Sequence, residues 1–169
     1  MPLSSAQTSR YSFTAMKRIT GKGAMTAAPA RIAPAVPPHT YLGVAASMLP
    51  AVRILVSSDE RPAIAIAMLS AHALECILKG YISRSGDDSS VRHPDVQHNL
   101  NALWSRAVAD GLHVPSNPPD WVGRLSDLHN RPFYLRYSTK VHGNVLPAPE
   151  PMTTELAAIM EQILAQVYG

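Results

Sequence analysis

The chain has 169 residues, of which 46% are hydrophobic and 16% are charged, and it contains a single cysteine. This length suits one domain with a sizeable core, and one cysteine cannot form an internal disulfide. We therefore expect a fold that depends on packing, in a reducing and hence cytoplasmic compartment. Charged residues interrupt every apolar run before it reaches the roughly 18 residues of a membrane span, so no span is expected.

Positive charge is concentrated at the start of the chain. Residues 1–58 carry six basic residues and no acidic one, whereas the remainder carries nine basic and twelve acidic residues. Residues 1–40 lack helical or alternating periodicity, and 27–38 (AAPARIAPAVPP) favour extended polyproline conformations. We predict a disordered basic tail over 1–40, followed by one domain over 41–169. Clustered bases can attract phosphate, but here they are spread thinly, which favours a solvated leader.

Two long helices are predicted after the tail. Apolar residues recur at steps of three and four from Tyr41 to Val56, with a kink expected at Pro50. Ser57 and Glu60 have the spacing of a capping box, with a proline two positions later, so a second helix is predicted to start there. A wide apolar stripe carries this second helix to residue 82.

Shorter helices follow. Pro94 and Asp95 suit the first turn of a third helix that ends at a glycine, residue 111. A fourth helix is predicted over 121–129, and then a long loop over 131–151, of the kind that is often functional.

A last helix is predicted over 153–167, where a narrow apolar seam suits pairing with another helix. No strand pattern competes with these helices. Because each apolar stripe must be covered by another helix, the sequence predicts an all-α, up-and-down bundle of about five helices.

Three segments of the chain resemble the HEPN domains of prokaryotes: 63–82 (AIAIAMLSAHALECILKGYI), 98–112 (HNLNALWSRAVADGL) and 134–138 (YLRYS). The resemblance spans about residues 41–168. It is carried by an Ala-Leu-Glu then Leu-Lys helix core that ends in Glu75 and Lys79, a His-polar-Leu element at His98, and an Arg-Tyr pair at Arg136 and Tyr137.

The resemblance implies a compact helical bundle, often a homodimer, without a cofactor. Many HEPN proteins accompany a nucleotidyltransferase in toxin–antitoxin or defence systems, and others are metal-independent endoribonucleases. RNA or a nucleotide is therefore the expected ligand, and a nucleotidyltransferase a possible protein partner.

Catalytic HEPN proteins carry an arginine and a histidine separated by four to six residues, and Arg136 and His142 match with five. Because RNA supplies its own nucleophile, the ribose 2′-OH, cleavage requires only proton exchange and cations around the phosphate. His142 would exchange the proton, and Arg136 would bind the phosphate. A dimer would place two such pairs face to face.

Four further residues are candidates for substrate binding. Lys140 and Arg131 would enrich the groove in positive charge, and Tyr137, or Tyr134 in its place, would stack on a base. Glu75 would orient the arginine or the substrate.

Two alternatives stay open. An aromatic residue follows Arg136, as in HEPN proteins without nuclease activity, so the arginine could instead bond helix-end carbonyls or Glu75 within a non-catalytic binding module. A structural dimer with a nonspecific basic tail is the weaker alternative. His72 and Glu75 lie one turn apart, but too few carboxylates accompany them to predict a metal site, and Cys76 suits a buried, inert thiol.

Overall fold

Five α-helices form a bundle in the computed structural model, which describes residues 36–137, 143 and 145–169. They are α1 (His39–Ser57), α2 (Ala63–Ile82), α3 (Leu100–Ala109), α4 (Asp120–His129) and α5 (Pro149–Tyr168), with a short 3₁₀ turn at Ser89–Val91. Over the described ranges no strand is present, and the all-α prediction is confirmed. Residues 1–35 of the predicted tail lie outside these ranges.

Helix α2 is the centre of the bundle and contacts each of the other four α-helices. Most of its residues are buried, as expected for a helix that is apolar on nearly all sides. Its closest neighbour is α1, where Gly80 faces the side chain of Leu42. A Cβ atom at position 80 would lie 2.6 Å from Leu42 Cδ2, so glycine permits this close approach.

The predicted start of α2 is wrong in its details. Ser57 does not cap α2 but ends α1, where its hydroxyl donates to the Arg53 carbonyl at 2.6 Å. Helix α2 begins at Ala63, after Pro62, without a side-chain cap. Helix α1 continues through Pro50 as one α-helix.

The predicted start of α3 is also wrong. Residues 94–98 form turns, and the helix begins at Leu100, where the Asn99 side chain accepts a hydrogen bond from the Ala102 amide at 3.1 Å. Helix α4 agrees with its prediction. Helix α5 begins at Pro149, four residues early, because proline is tolerated in a first turn that needs no N–H donor.

By length and composition alone, α1 and α2 are each long and apolar enough to cross a membrane. This is weak evidence, because the core helix of a bundle meets the same criteria. Two thirds of the apolar window in α2 is buried against the other helices.

Candidate functional site

Helix α2 carries a buried carboxylate at the centre of a polar cluster. Glu75 is only 3% exposed. Its Oε1 accepts a hydrogen bond from Lys79 Nζ at 2.6 Å, and its Oε2 accepts from His98 Nδ1 at 3.1 Å and from His129 Nε2 at 2.6 Å. We call these four residues the Glu75 cluster. Both oxygens of the carboxylate are thus used, as a buried charge requires.

Three helices bring the cluster together. Glu75 and Lys79 are four residues apart and therefore lie on the same face of α2. His98 immediately precedes the residue that caps α3, and His129 is the last residue of α4. Since α3 and α4 both pack on α2, the two imidazoles converge on the one carboxylate.

The contacts of Glu75 keep it ionised. Burial alone would raise the pKa of Glu75, but the hydrogen bond from His129 and the positive charge of Lys79 outweigh burial. Together with the hydrogen bond from His98, they lower the pKa from 4.5 to about 2. Glu75 is therefore ionised at neutral pH and is paired with the positive charge of Lys79.

A third histidine borders the cluster. His72 is half-buried on α2, and its ring centroid lies 6.4 Å from that of His129. Burial lowers the pKa of His72, and the charge of Arg136 adds to this effect, whereas Glu75 opposes it. His72 is therefore neutral near pH 7.

Cys76 is buried and lies next to this histidine, with its Sγ 4.0 Å from His72 Nε2. Burial, reinforced by the charge of Glu75, raises the pKa of the Cys76 thiol to about 12. The burial predicted for Cys76 is confirmed, and the raised pKa disfavours the thiolate, which is the reactive form.

The turn after α4 extends the cluster to the surface. Phe133 has a φ of 65°, in the left-handed region that costs a non-glycine residue about 1–3 kcal/mol. Its carbonyl accepts from the amides of Arg136 and Tyr137, and buried Leu135 anchors the turn in the core. The Phe133 ring stands edge-on to His98 at 5.5 Å between centroids. Strained backbone of this kind concentrates at functional sites.

The exposed candidates of the sequence analysis lie on this turn. Arg136 is exposed, with its guanidinium carbon 5.4 Å from the centre of the Phe133 ring. Arg131 and Tyr137 are exposed as well, and Tyr137 is 59% exposed. Lys140 and His142 lie outside the described residues.

Glu75 lies in the core, whereas a side chain that contacts a substrate must reach the surface. It is buried, and its hydrogen-bond partners are Lys79, His98 and His129 rather than Arg136. His98 and the Phe133 ring connect this carboxylate to the exposed turn.

Sequence reasoning did not assign His98, His129 and Phe133 to the site. His129 ends an amphipathic helix on its apolar side, and a polar residue in that position is a signal of buried hydrogen bonding. Its partner, however, lies 54 positions away in sequence. Periodicity identifies a buried face but not the helix that covers it.

Comparison with known proteins gives no family: neither a protein-family model, nor a curated protein, nor a solved structure matches the chain. The fold and the site define an all-α bundle with a buried carboxylate–histidine–lysine cluster beneath an arginine-bearing surface turn. The resemblance to HEPN domains is carried by the sequence motifs alone.

Proposed function

We propose that this protein is a HEPN-like bundle that binds RNA and cleaves it without a metal ion. The observation that carries the proposal is the position of Arg136, exposed over the Phe133 ring on a turn next to the histidines. An exposed guanidinium supported by an aromatic ring binds a phosphate without first losing a buried partner. The exposed Tyr137 beside it offers a base-stacking surface.

The proposed reaction is a transesterification. The ribose 2′-oxygen attacks phosphorus and gives its proton to His142, the 5′-oxygen leaves and takes a proton from water or a protonated imidazole, and a 2′,3′-cyclic phosphate results. Arg136 stabilises the negative charge that develops on the phosphate oxygens. Lys140 and Arg131 add positive charge along the RNA. A homodimer would bring two such sets of residues together.

The test is cleavage of single-stranded RNA by the purified full chain in the presence of a chelator, with the ends of the products identified. We expect cyclic-phosphate ends, and at least a 100-fold loss of rate in Arg136→Ala and in His142→Ala. The exposure of Arg136 predicts that its variant keeps the stability of the parent within about 0.5 kcal/mol.

Arg53→Ala is the matched control, since Arg53 is an exposed arginine in a groove between α1 and α5. Equal rates in Arg53→Ala and Arg136→Ala would contradict the proposal, as would RNA left intact by the parent chain. Unfolding of Arg136→Ala would favour the alternative in which this arginine is structural.

A non-catalytic binding module is the second candidate, and one surface favours it. The start of α2 exposes Ile64 and Met68, which line a groove of about 670 Å³ with Pro62 and Leu69. Exposed apolar surface of this kind is typical of protein–protein contacts. Weaker binding of a nucleotidyltransferase, or of a second copy of the chain, by the Met68→Lys variant would support this function if the parent chain also leaves RNA intact.

A further inference from the structure

Three side chains of the kind that bind metals meet between α2 and α4. One ligand atom from each of His72, Glu75 and His129 lies within 4.8 Å of the other two. Glu75 and His129 are buried, and His72 is half-buried. The sequence predicted no metal site because it offered only one His-x-x-Glu pair, and the fold adds His129 from a second helix.

The geometry suits a small divalent ion. His72 and Glu75 are three residues apart and therefore lie on the same face of α2, with His129 facing them from the end of α4. Tetrahedral ligands at the usual Zn²⁺ distances lie about 3.4 Å apart. Rotations of the side chains that move the ligand atoms by roughly 1 Å would therefore close the three around one ion.

The imidazoles have hydrogen-bonding capacity left over. The Nδ1 atoms of His72 and His129 are both buried and have no hydrogen-bond partner among the described residues. A buried polar atom in that state costs about 1–3 kcal/mol. His129 is itself 1% exposed, so bulk solvent does not provide the missing partner.

The carboxylate is already oriented by its other contacts. Lys79 holds Oε1 at 2.6 Å, and His98 holds Oε2 at 3.1 Å. Hydrogen bonds of this kind to a metal-binding carboxylate fix its direction and tune its affinity. Oε2 also accepts from His129 Nε2 at 2.6 Å, so this hydrogen bond must be given up and the proton must leave Nε2 before that nitrogen can bind the ion. The charge of Lys79 also opposes a cation, so we expect weaker binding than at a site with an unopposed carboxylate.

We propose that His72, Glu75 and His129 bind one first-row divalent cation, Zn²⁺ being the best fit to two imidazoles and a carboxylate, and that the ion ties α2 to α4. Such a three-ligand set leaves one position for water. The site goes beyond the proposed RNA cleavage, which takes place without a metal ion, and the two succeed or fail independently.

The test is titration of the untagged, chelator-treated full chain with Zn²⁺ alone, measured by calorimetry and by competition with a chromophoric chelator. We expect one ion per chain, and at least a tenfold weaker affinity in His72→Ala. His113→Ala is the matched control, since the His113 side chain is exposed and apart from the cluster. Equal affinity of the two variants, or no stoichiometric binding by the parent chain, would overturn the proposal.

Thermal unfolding provides a readout that is independent of ligand counting. A ligand that binds only the native state raises the melting temperature. Zn²⁺ should therefore raise the melting temperature of the parent and of His113→Ala, and a chelator should reverse the rise. His129 is buried, so His129→Ala is used only if circular dichroism shows that it folds. His72 is half-buried, and His72→Ala is therefore the decisive variant. A rise of the same size in His72→Ala would contradict the site.

Discussion

Replacing Glu75 with glutamine tests the central polar cluster of the bundle. The amide keeps the volume of the side chain but removes its charge and turns one acceptor into a donor. That donor must face either Lys79 Nζ or the pair of imidazole nitrogens that Oε2 now accepts from. With the amide nitrogen toward Lys79, two donors meet; with it toward the imidazoles, both rings must change tautomer to accept, and Lys79 loses its ionised partner in either case.

The size of the effect follows from the pKa of the carboxyl group. A pKa lowered from 4.5 to about 2 corresponds to roughly 3 kcal/mol of stabilisation of the ionised form. Breaking a buried charge pair by removing one partner costs about 3–5 kcal/mol by general experience. We therefore expect Glu75→Gln to lower the free energy of unfolding by about 3 kcal/mol, and the melting temperature by roughly 10–15 °C.

Urea unfolding at pH 7, followed by circular dichroism in the presence of a chelator, measures this change. Glu161→Gln on α5 is the control, because Glu161 is exposed and its substitution should stay within about 0.5 kcal/mol of the parent. Adding Lys79→Met to a Glu75→Leu variant should recover more than about 1 kcal/mol, since it removes the buried ammonium left without its partner. A Glu75→Gln variant as stable as the Glu161→Gln control would refute the assignment of the cluster as a stabilising centre.

Two further predictions concern stability. Because the folded pKa of Glu75 lies below its unfolded value, the stabilisation is nearly complete above about pH 4.5 and is lost as the pH falls toward 2. Urea unfolding at pH 5 and pH 2.5 should therefore differ by about 2 kcal/mol more in the parent than in Glu75→Gln, and equal differences would contradict the low pKa. Gly80→Ala should destabilise the bundle by about 1–2 kcal/mol, since its Cβ would meet Leu42 at 2.6 Å, whereas Gly43→Ala on α1, with nothing within 4 Å, should stabilise it by about 0.5–1 kcal/mol; the same sign for both substitutions in thermal unfolding would be inconsistent with this packing.

The sequence predicts the helices well where their apolar stripes are broad. Helix α2 carries apolar residues on nearly every side, so its end at Ile82 and its burial follow from the pattern. The predicted starts of the helices were less accurate than their ends, because several residues near each start are of types that can cap a helix. By residue type alone, Pro94 and Asp95 suit the start of α3 as well as Asn99 does. Only in the structure is it visible that the Asn99 side chain accepts the hydrogen bond from the Ala102 amide.

The site was harder to predict than the helices. Periodicity placed Glu75 inward, and the structure confirms that it is buried. The identity of its partners depends on which helices touch α2, and His98 and His129 are 23 and 54 positions away. No local rule connects residues at that separation, and the sequence analysis assigned the carboxylate to the arginine or to a substrate instead.

The buried cluster and the surface turn share one element, the His98 ring. His98 donates to Glu75 on one side and meets the edge of Phe133 on the other, and Phe133 carries the guanidinium of Arg136. A histidine fixed by a buried carboxylate has little freedom to rotate, so it gives the strained Phe133 a rigid neighbour. The conformation of the turn is thus set partly by the core, and Phe133 gives the exposed Arg136 a defined neighbour.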